Sequence, residues 1–195
     1  MKMNPSKCVF GVTAGKFLGF MVSQRGIEVN PEKVRAIMKL GPPRMVKEVR
    51  SLNGKIAALN RFVSKAMDKC LPFFRILRKS FEWTDECQKA FEDLKKYLSS
   101  PPLLSPSRPG EELYPYIVVS QAAVNAVLVR KEVGSQRPVY FISRAFRGAE
   151  ERYPRMEKLA FALVTYFQAH TIIVLTDQPL KRAMSSLEAA ERMAL

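Results

Sequence analysis

The segment 84–99 has the sequence TDECQKAFEDLKKYLS, and it divides the chain into two parts of different character. Thr84 is a preferred N-cap residue, and Asp85 and Glu86 follow it in the first turn, where the helix dipole favours negative charge. Apolar residues then recur at steps of three and four up to Leu98. The segment predicts an amphipathic helix, and the Ser-, Pro- and Gly-rich residues after it, up to Gly110, predict a linker.

The residues at the start of the chain predict a β-hairpin and a first short helix. Residues 8–10 and 17–22 are apolar and flank the turn-forming residues Thr13-Ala14-Gly15. Asn30 is a good N-cap residue, and Pro31 suits the first position of a helix. We therefore expect two antiparallel strands followed by a helix that begins at Pro31.

Residues 46–79 repeat apolar side chains at helical spacing, and most of the basic side chains fall between them. Gly54 predicts a joint between two helices, and Leu71-Pro72 predict the start of another. We expect three or four small helices here, each with one face that packs and one that is positively charged.

The pattern changes after the linker to one of strands and helices. Apolar alternation and turn residues predict the order β-β-β-α-β-α, which is an α/β arrangement with a mixed sheet. The predicted strands are 113–120, 126–130, 138–143 and 171–177, and the predicted helices are 156–168 and one that begins at Pro179.

The net charge of +14 is concentrated in the helical part of the chain. Residues 33–79 contain 13 lysines and arginines against two acids, Glu48 and Asp68. This density is typical of proteins that bind polyanions by neutralising phosphates and releasing counterions. A solvated basic face that only keeps the protein in solution is the alternative.

Cysteine and hydropathy patterns exclude other classes. Cys8, Cys70 and Cys87 are widely separated, and His170 is the only histidine, so neither a disulfide framework nor a zinc site is predicted. The sequence has no apolar run of about 18 residues and no signal-peptide pattern at its start. We expect an intracellular chain that is not secreted and has no membrane partner; the sequence does not indicate nucleus or cytoplasm.

Several segments in the same order resemble the gypsy-type LTR retrotransposon polyprotein of the plant lineage, in which the RNase H region is degenerate. No single segment decides the match, but together they extend over nearly the whole chain. They are NPSKCVF at 4–10, KFLGF at 16–20, KEVRSLNG at 47–54, NRFV at 60–63, FEWT at 81–84, PPLL at 101–104, VYFISR at 139–144, Tyr153-Pro154 and Thr176-Asp177.

The resemblance implies an α+β chain with four parts. Residues 1–30 are similar to the end of the palm and the primer-grip hairpin of reverse transcriptase, and 31–80 to its helical thumb. Residues 81–110 are similar to the connecting helix and linker. Residues 111–195 are similar to an RNase H-like domain that is truncated, with an exposed sheet edge.

The same resemblance implies that the catalytic carboxylates are mostly lost. The polymerase aspartates of the family lie upstream of Met1. Alignment on the family's D-A-S and G-A-V-L pattern places Val118 at the first RNase H acid and Leu159 at the second, while Asp177 matches the third. Two-metal hydrolysis needs several carboxylates around the ions. We therefore expect no metal site and no cofactor, with Mg²⁺ bound only if the RNase H site were active.

The implied binding residues lie in the thumb and the primer-grip hairpin. We expect them to contact an RNA–DNA hybrid or duplex without sequence preference, as part of a larger polyprotein. They are Lys16, Leu18, Gly19, Lys47, Arg50, Lys55, Asn60 and Arg61.

Two alternatives stay open beside this inactive nucleic-acid-binding fragment. One is an enzyme of a larger polyprotein. It is either an active RNA–DNA hybrid ribonuclease that uses Glu157, Asp177 and another acid such as Glu150 or Glu151, or an RNA-directed DNA polymerase subunit. The other is an interaction or structural piece of a larger polyprotein that is unstable alone. For Asp177 we favour a structural role, as an acid at a strand end that caps the turn into the helix at Pro179. The segment between Leu159 and Asp177 is about seven residues shorter than the corresponding segment of the resembling family. This shortening predicts that the helix beginning at Met156 ends near Val164 or is distorted around 166–167.

Overall fold

Two three-stranded antiparallel sheets and five α-helices make up the part of the protein that the computed structural model describes, residues 11–17, 19–78, 81–166 and 172–180. This confirms the expected α+β class. The elements are β1 Ala14–Phe17, β2 Phe20–Ser23, β3 Gly26–Val29, α1 Pro31–Met38, α2 Val46–Ala57, α3 Ala66–Arg78, α4 Asp85–Ser99, β4 Tyr114–Val119, β5 Ala123–Glu132, β6 Ser135–Ala145 and α5 Arg155–Tyr166, with 3₁₀ turns at Asn60–Phe62 and Gly148–Arg152.

The first sheet is a three-stranded meander, with strand order β1-β2-β3. The predicted turn at Thr13-Ala14-Gly15 is wrong, because Ala14 and Gly15 lie in β1 and pair with β2. The chain reverses instead between Phe17 and Phe20, where Gly19 has a φ of +81°, a conformation that glycine adopts without strain. Leu18 and the segment 4–10 lie outside the described residues.

The helices α1 to α4 pack around one core with the meander. The Asn30 side chain caps α1 by accepting a hydrogen bond of 2.9 Å from the backbone N–H of Glu32. The predicted joint at Gly54 is wrong, since α2 continues through it, and Pro72 lies inside α3 instead of starting a helix. Pro72 and its neighbour Phe73 are buried, so packing outweighs the hydrogen bond that proline cannot make.

Helix α4 confirms the helix predicted from its cap and spacing. The Thr84 hydroxyl accepts a hydrogen bond of 3.3 Å from the backbone N–H of Cys87. The apolar side of α4 packs into the same core as α1, α2 and α3, where Trp83 stacks on Phe73 with ring centroids 5.8 Å apart. The helix before the linker is therefore part of the N-terminal core.

The predicted linker is held against both sheets. Leu104 exchanges backbone hydrogen bonds with Ile27 of β3, and the Ser105 N–H donates to the carbonyl oxygen of Pro138 in β6. Gly26 has a φ of +141°, and a Cβ at this position would overlap the Leu104 carbonyl oxygen. Glycine is required here because the linker backbone approaches so closely.

The second sheet has strand order β4-β5-β6, and α5 packs on one face of it. The predicted strand 171–177 is wrong for most of its length. Ile172 forms a parallel bridge with Leu113, and the Ile173 N–H donates to the Leu113 carbonyl, but Val174 and Leu175 are exposed. The apolar run suggested a buried strand, yet the described residues past Ile173 form no β-bridge to β4.

The shortened connection after α5 is only partly described. Helix α5 is described from Arg155 to Tyr166, two residues past Val164. The alternative prediction, a distortion around 166–167, stays a prediction because residue 167 lies outside the described residues. Residues 167–171 and the last predicted helix beyond Leu180 lie outside the described residues.

The N-terminal core and the second sheet meet along the outer edge of β6. The 3₁₀ turn Asn60–Phe62 lies against this edge, and Asn60 Nδ2 donates a hydrogen bond of 3.2 Å to the Ser143 carbonyl oxygen. An uncovered edge strand exposes unpaired backbone groups. The turn covers part of that edge and connects the two halves of the molecule.

Candidate nucleic-acid interface

Helix α2 separates an apolar face from a cationic one. Its buried residues Val49, Leu52 and Ile56 follow helical spacing and enter the N-terminal core. Lys47 and Arg50 are exposed between them, and among the described residues neither makes an ion pair. Two positive charges therefore face solvent without a neutralising carboxylate.

Lys55 and Gly54 extend this cationic face toward the end of α2. The Lys55 ammonium group donates a hydrogen bond of 2.9 Å to the Ser51 hydroxyl one turn earlier, which holds it along the helix. Gly54 is exposed, and an added Cβ there would have no atom within 4 Å. A glycine in a helix costs about 1 kcal/mol relative to alanine. The internal packing gives no reason for this cost.

The 3₁₀ turn after α2 exposes Arg61, which lines a cavity together with Ala57 and Ala58 at the end of that helix. Its guanidinium carbon lies 4.6 Å from the centre of the Tyr140 ring and 5.8 Å from that of Phe20. Within the described part of the chain Arg61 has no carboxylate partner. Two aromatic rings restrict the side chain, while its N–H groups stay available for an anion.

The predicted primer-grip residues are placed less favourably. Lys16 is exposed and forms a 2.9 Å ion pair with Glu32, whose pKa is lowered first by that hydrogen bond. Gly19 lies at the β1–β2 turn, and the Lys33 ammonium group is beside it and 5.5 Å from the Phe20 ring. Lys33 was not predicted from the sequence as a binding residue. The signal that could have pointed to it is the cap Asn30-Pro31, which places Lys33 in the first turn of α1.

Asp68 joins the two halves through buried polar side chains, and no sequence pattern singled it out. Its carboxylate accepts hydrogen bonds of 2.6 Å from Asn125 Nδ2 and 3.2 Å from the Ser120 hydroxyl. The Ser143 hydroxyl donates to Asn125 Oδ1 at 2.5 Å and accepts from the Met67 N–H at 2.7 Å. The beginning of α3 is thus fixed to β5 and β6.

The residues aligned with the RNase H acids lie in two different places. Leu159 and Asp177 line one cavity of about 220 Å³, together with Ile117, Val119 and the basic Arg155. Val118 lies between Ile117 and Val119 in β4, and because successive side chains of a strand alternate between faces, it points to the other face. Its side chain is half exposed there, beside Lys65.

The side chains at this cavity do not fit a pair of magnesium ions. Mg²⁺ prefers several converging oxygen ligands. Asp177 is the one acidic residue among those that line the cavity, and its Oδ1 accepts a hydrogen bond of 3.2 Å from the neighbouring Gln178 side chain. Among the residues that the structure describes, no group of three or more His, Cys, Asp or Glu side chains is placed so that it could hold a metal ion.

Two further titratable groups are shaped by burial and pairing. Arg130 is buried and forms a bidentate pair with Glu111, whose pKa this hydrogen bond lowers. Glu111 is therefore an anchor of the linker and not a free linker charge.

Burial raises the pKa of the Cys70 thiol to about 12, so it is uncharged at neutral pH.

Comparison with known proteins identifies the second half of the chain. Residues 83–180, half of the sequence, match the family described as the RNase H-like domain found in reverse transcriptase. The chain belongs to this family. The match includes α4, the linker, the second sheet and α5, so the RNase H-like family region begins at Trp83, before the linker.

Relatives of this RNase H-like chain are polyproteins of transposable elements. It is 29% identical over 208 aligned residues to the retrovirus-related Pol polyprotein from transposon opus of Drosophila melanogaster, covering 95% of this chain and 21% of that protein. It is 32% identical to the Pol polyprotein from transposon 412 of the same fly, covering 81% and 13%. A Tf2-3 polyprotein of Schizosaccharomyces pombe is 27% identical, covering 83% and 12%. The chain spans about a fifth or less of these relatives.

Solved structures support the fold over almost the whole RNase H-like chain. The foamy viral protease-reverse transcriptase in complex with RNA/DNA hybrid has a TM-score of 0.71 at 20% identity, covering 93% of this chain and 27% of that one. The same enzyme in complex with dsDNA has a TM-score of 0.70 at 20% identity, covering 91% and 40%.

In the described residues no helix has the length and hydrophobicity to cross a bilayer.

Proposed function

We propose that this chain is the thumb and degenerate RNase H-like part of a gypsy-type retrotransposon Pol polyprotein of the plant lineage. It binds an RNA–DNA hybrid or a duplex through the sugar–phosphate backbone, without sequence preference and without cleaving it. The observation that carries the proposal is the unpaired cationic face formed by Lys47, Arg50, Lys55 and Arg61. We call these four residues the cationic face.

The cationic face has the electrostatic properties of a backbone-binding surface. Lys47, Arg50 and Lys55 lie on α2 and Arg61 lies on the turn that follows it. None of the four pairs with a carboxylate in the described structure. Contacts to phosphate oxygens position a nucleic acid but do not distinguish one base sequence from another. Each neutralised phosphate releases counterions, so the affinity should fall steeply with salt.

Gly54 supports this choice of face over a merely solvated one. It is exposed in the middle of α2, between Arg50 and Lys55, and nothing in the described chain occupies the space above it. A glycine permits another backbone to approach the helix closely. A solvated surface would gain stability from alanine there, whereas a surface that receives a sugar–phosphate backbone has a reason for glycine.

The known complexes of similar folds agree with a nucleic-acid partner. The foamy viral enzyme, whose fold this chain shares, was solved with dsDNA and with RNA/DNA hybrid. In the larger polyprotein the remaining segments would be further partners. Catalysis is left out of the proposal because Leu159 and Asp177 line the same cavity, and Asp177 is the one acidic residue in its lining, which is too few oxygen ligands for hydrolysis by two metal ions.

A salt titration of hybrid binding tests the proposal. We expect log K to fall linearly with log salt, and the Lys55→Gln/Arg61→Gln double variant to lower the slope by about 1 for each phosphate contact that it removes. The control is Lys131→Gln/Arg137→Gln, which removes the same charge from exposed positions on the β5–β6 hairpin. Affinity weaker than about millimolar at low salt, or equal slope changes in both double variants, would refute the proposal.

The lineage is tested separately by the flanking genomic sequence. We expect an upstream frame that encodes a palm with paired aspartates, and downstream an integrase or a second RNase H. Flanks that encode an unrelated cellular protein would contradict the gypsy-type assignment and leave the binding proposal standing.

A further inference from the structure

We propose that the RNase H-like sheet positions Arg61 for phosphate binding, through a hydrogen-bond network of Met67, Asp68, Asn125 and Ser143. We call these four residues the positioning network. This inference rests on the proposed function and assigns the degenerate domain a role in the same site.

The hydrogen bonds of the positioning network form a closed circuit. The Met67 N–H donates to the Ser143 hydroxyl at 2.7 Å, and that hydroxyl donates to Asn125 Oδ1 at 2.5 Å. Asn125 Nδ2 then donates to Asp68 Oδ2 at 2.6 Å. Asp68 directly follows Met67 in the chain, so the backbone between them closes the circuit. Each group both fixes its neighbour and is fixed by it, so the circuit specifies one arrangement of α3 against the sheet.

Two side chains of the circuit, Asn125 and Ser143, are buried, which makes its geometry costly to change. Asn125 is 3% exposed and Ser143 is 4% exposed. A buried polar group without its partner bears the full penalty of desolvation. The first turn of α3 therefore cannot shift along β5 and β6 without leaving several such groups unpaired.

The same strands also hold the turn that carries Arg61. Ser143 accepts a hydrogen bond from Asn60 through its carbonyl oxygen at 3.2 Å, and Tyr140, three residues earlier in β6, stacks against the Arg61 guanidinium at 4.6 Å. Residues 60–68 are thus held at both ends, by Asn60 before Arg61 and by Met67 and Asp68 after it. Arg61 lies between two attachments to one rigid strand pair.

Asn125 supplies two hydrogen bonds of this arrangement. It lies in β5, directly before Ala126-Val127-Leu128. A glycine there could neither donate to Asp68 nor accept from Ser143. The Asn125 side chain therefore donates one hydrogen bond to the beginning of α3, at Asp68, and accepts one within the sheet, from Ser143.

A double-mutant cycle on hybrid affinity tests whether the network acts through Arg61. We expect Arg61→Gln to weaken binding in the unmodified chain, and the same substitution to have an effect about threefold or more smaller in the Ser143→Ala or Asn125→Gly background. Lys47→Gln is the matched control, because it lies on α2 away from the network. Its effect should be the same in all backgrounds.

Each outcome decides between the two proposals. Additive effects of Ser143→Ala and Arg61→Gln, in a chain that binds the hybrid, would overturn the inference and leave the proposed function intact. Absence of binding by the unmodified chain would refute both. The inference requires that the sheet folds without the Ser143 hydroxyl and that the hydroxyl serves only to position residues 60–68. Thermal melting of Ser143→Ala should therefore stay cooperative. An uncooperative melt would also contradict the inference.

Discussion

Replacing Gly54 with alanine should make the protein more stable and weaken its binding to nucleic acid. The position is exposed inside α2, and a Cβ there meets no atom within 4 Å. Alanine is favoured over glycine in a helix interior by about 1 kcal/mol. For a chain of this size, that gain corresponds to a rise in melting temperature of about 2–4 °C.

The effect of Gly54→Ala on binding should have the opposite sign. If the sugar–phosphate backbone packs against α2 between Arg50 and Lys55, an added methyl group separates the surfaces and disturbs their contacts. Inserting a methyl group into a packed contact costs about 1 kcal/mol or more, which corresponds to roughly a fivefold loss of affinity. Melting followed by circular dichroism and hybrid binding followed by fluorescence anisotropy measure the two effects in the same preparation.

Gly41→Ala provides the matched control for this experiment. Gly41 also has nothing within 4 Å of an added Cβ, but it lies in the loop after α1 and off the α2 surface. We expect it to leave the hybrid affinity unchanged. A Gly54→Ala variant with raised stability and unchanged affinity would refute the placement of nucleic acid on this face. A destabilised variant would show that the fold itself requires the glycine.

Three further predictions concern the fold. Thr84→Ala removes the cap of α4 and should lower the free energy of unfolding by about 1 kcal/mol in urea denaturation, whereas a fully stable variant would contradict the capping role. Gly26→Ala should destabilise the chain by more than about 1 kcal/mol, since a side chain there is strained and overlaps Leu104, and an unchanged melting temperature would show that the linker moves away freely. The pKa of Glu111 is lowered by its hydrogen bond from Arg130, so its contribution to stability is present above the ordinary value of 4.5 and disappears as pH falls through the lower folded value. Below pH 4.5 the unmodified chain should therefore decline in stability more steeply than Glu111→Gln, and parallel pH profiles would exclude this linkage.

Local sequence signals predict those elements whose boundaries are set by local chemistry. The α4 helix is predictable because the Thr84 hydroxyl caps a neighbouring N–H and the apolar residues repeat with a single period. Gly54 and Pro72 mislead because each weakens a helix locally, while the packing that keeps the helix intact comes from distant residues. The strand 171–177 is overpredicted because hydrophobicity does not reveal whether a pairing partner lies alongside.

The candidate site is predictable in charge but not in its supporting contacts. The spacing of Lys47, Arg50 and Arg61 against the apolar residues of the helix indicates a positive face, and the structure places them on the solvent side of the N-terminal core. The pairing of Asp68 with Asn125 joins residues 57 positions apart. No periodicity or short motif connects such positions, so this contact required the three-dimensional fold.

A single gel experiment tests most directly whether this chain holds nucleic acid without hydrolysing it. A labelled RNA–DNA hybrid is incubated with excess protein and Mg²⁺, and the shifted band is then recovered and denatured. We predict a shifted hybrid whose RNA strand is still full length. RNA that is cleaved by the unmodified chain but stays intact with the Asp177→Asn variant, or an unshifted hybrid at low salt, would contradict this prediction.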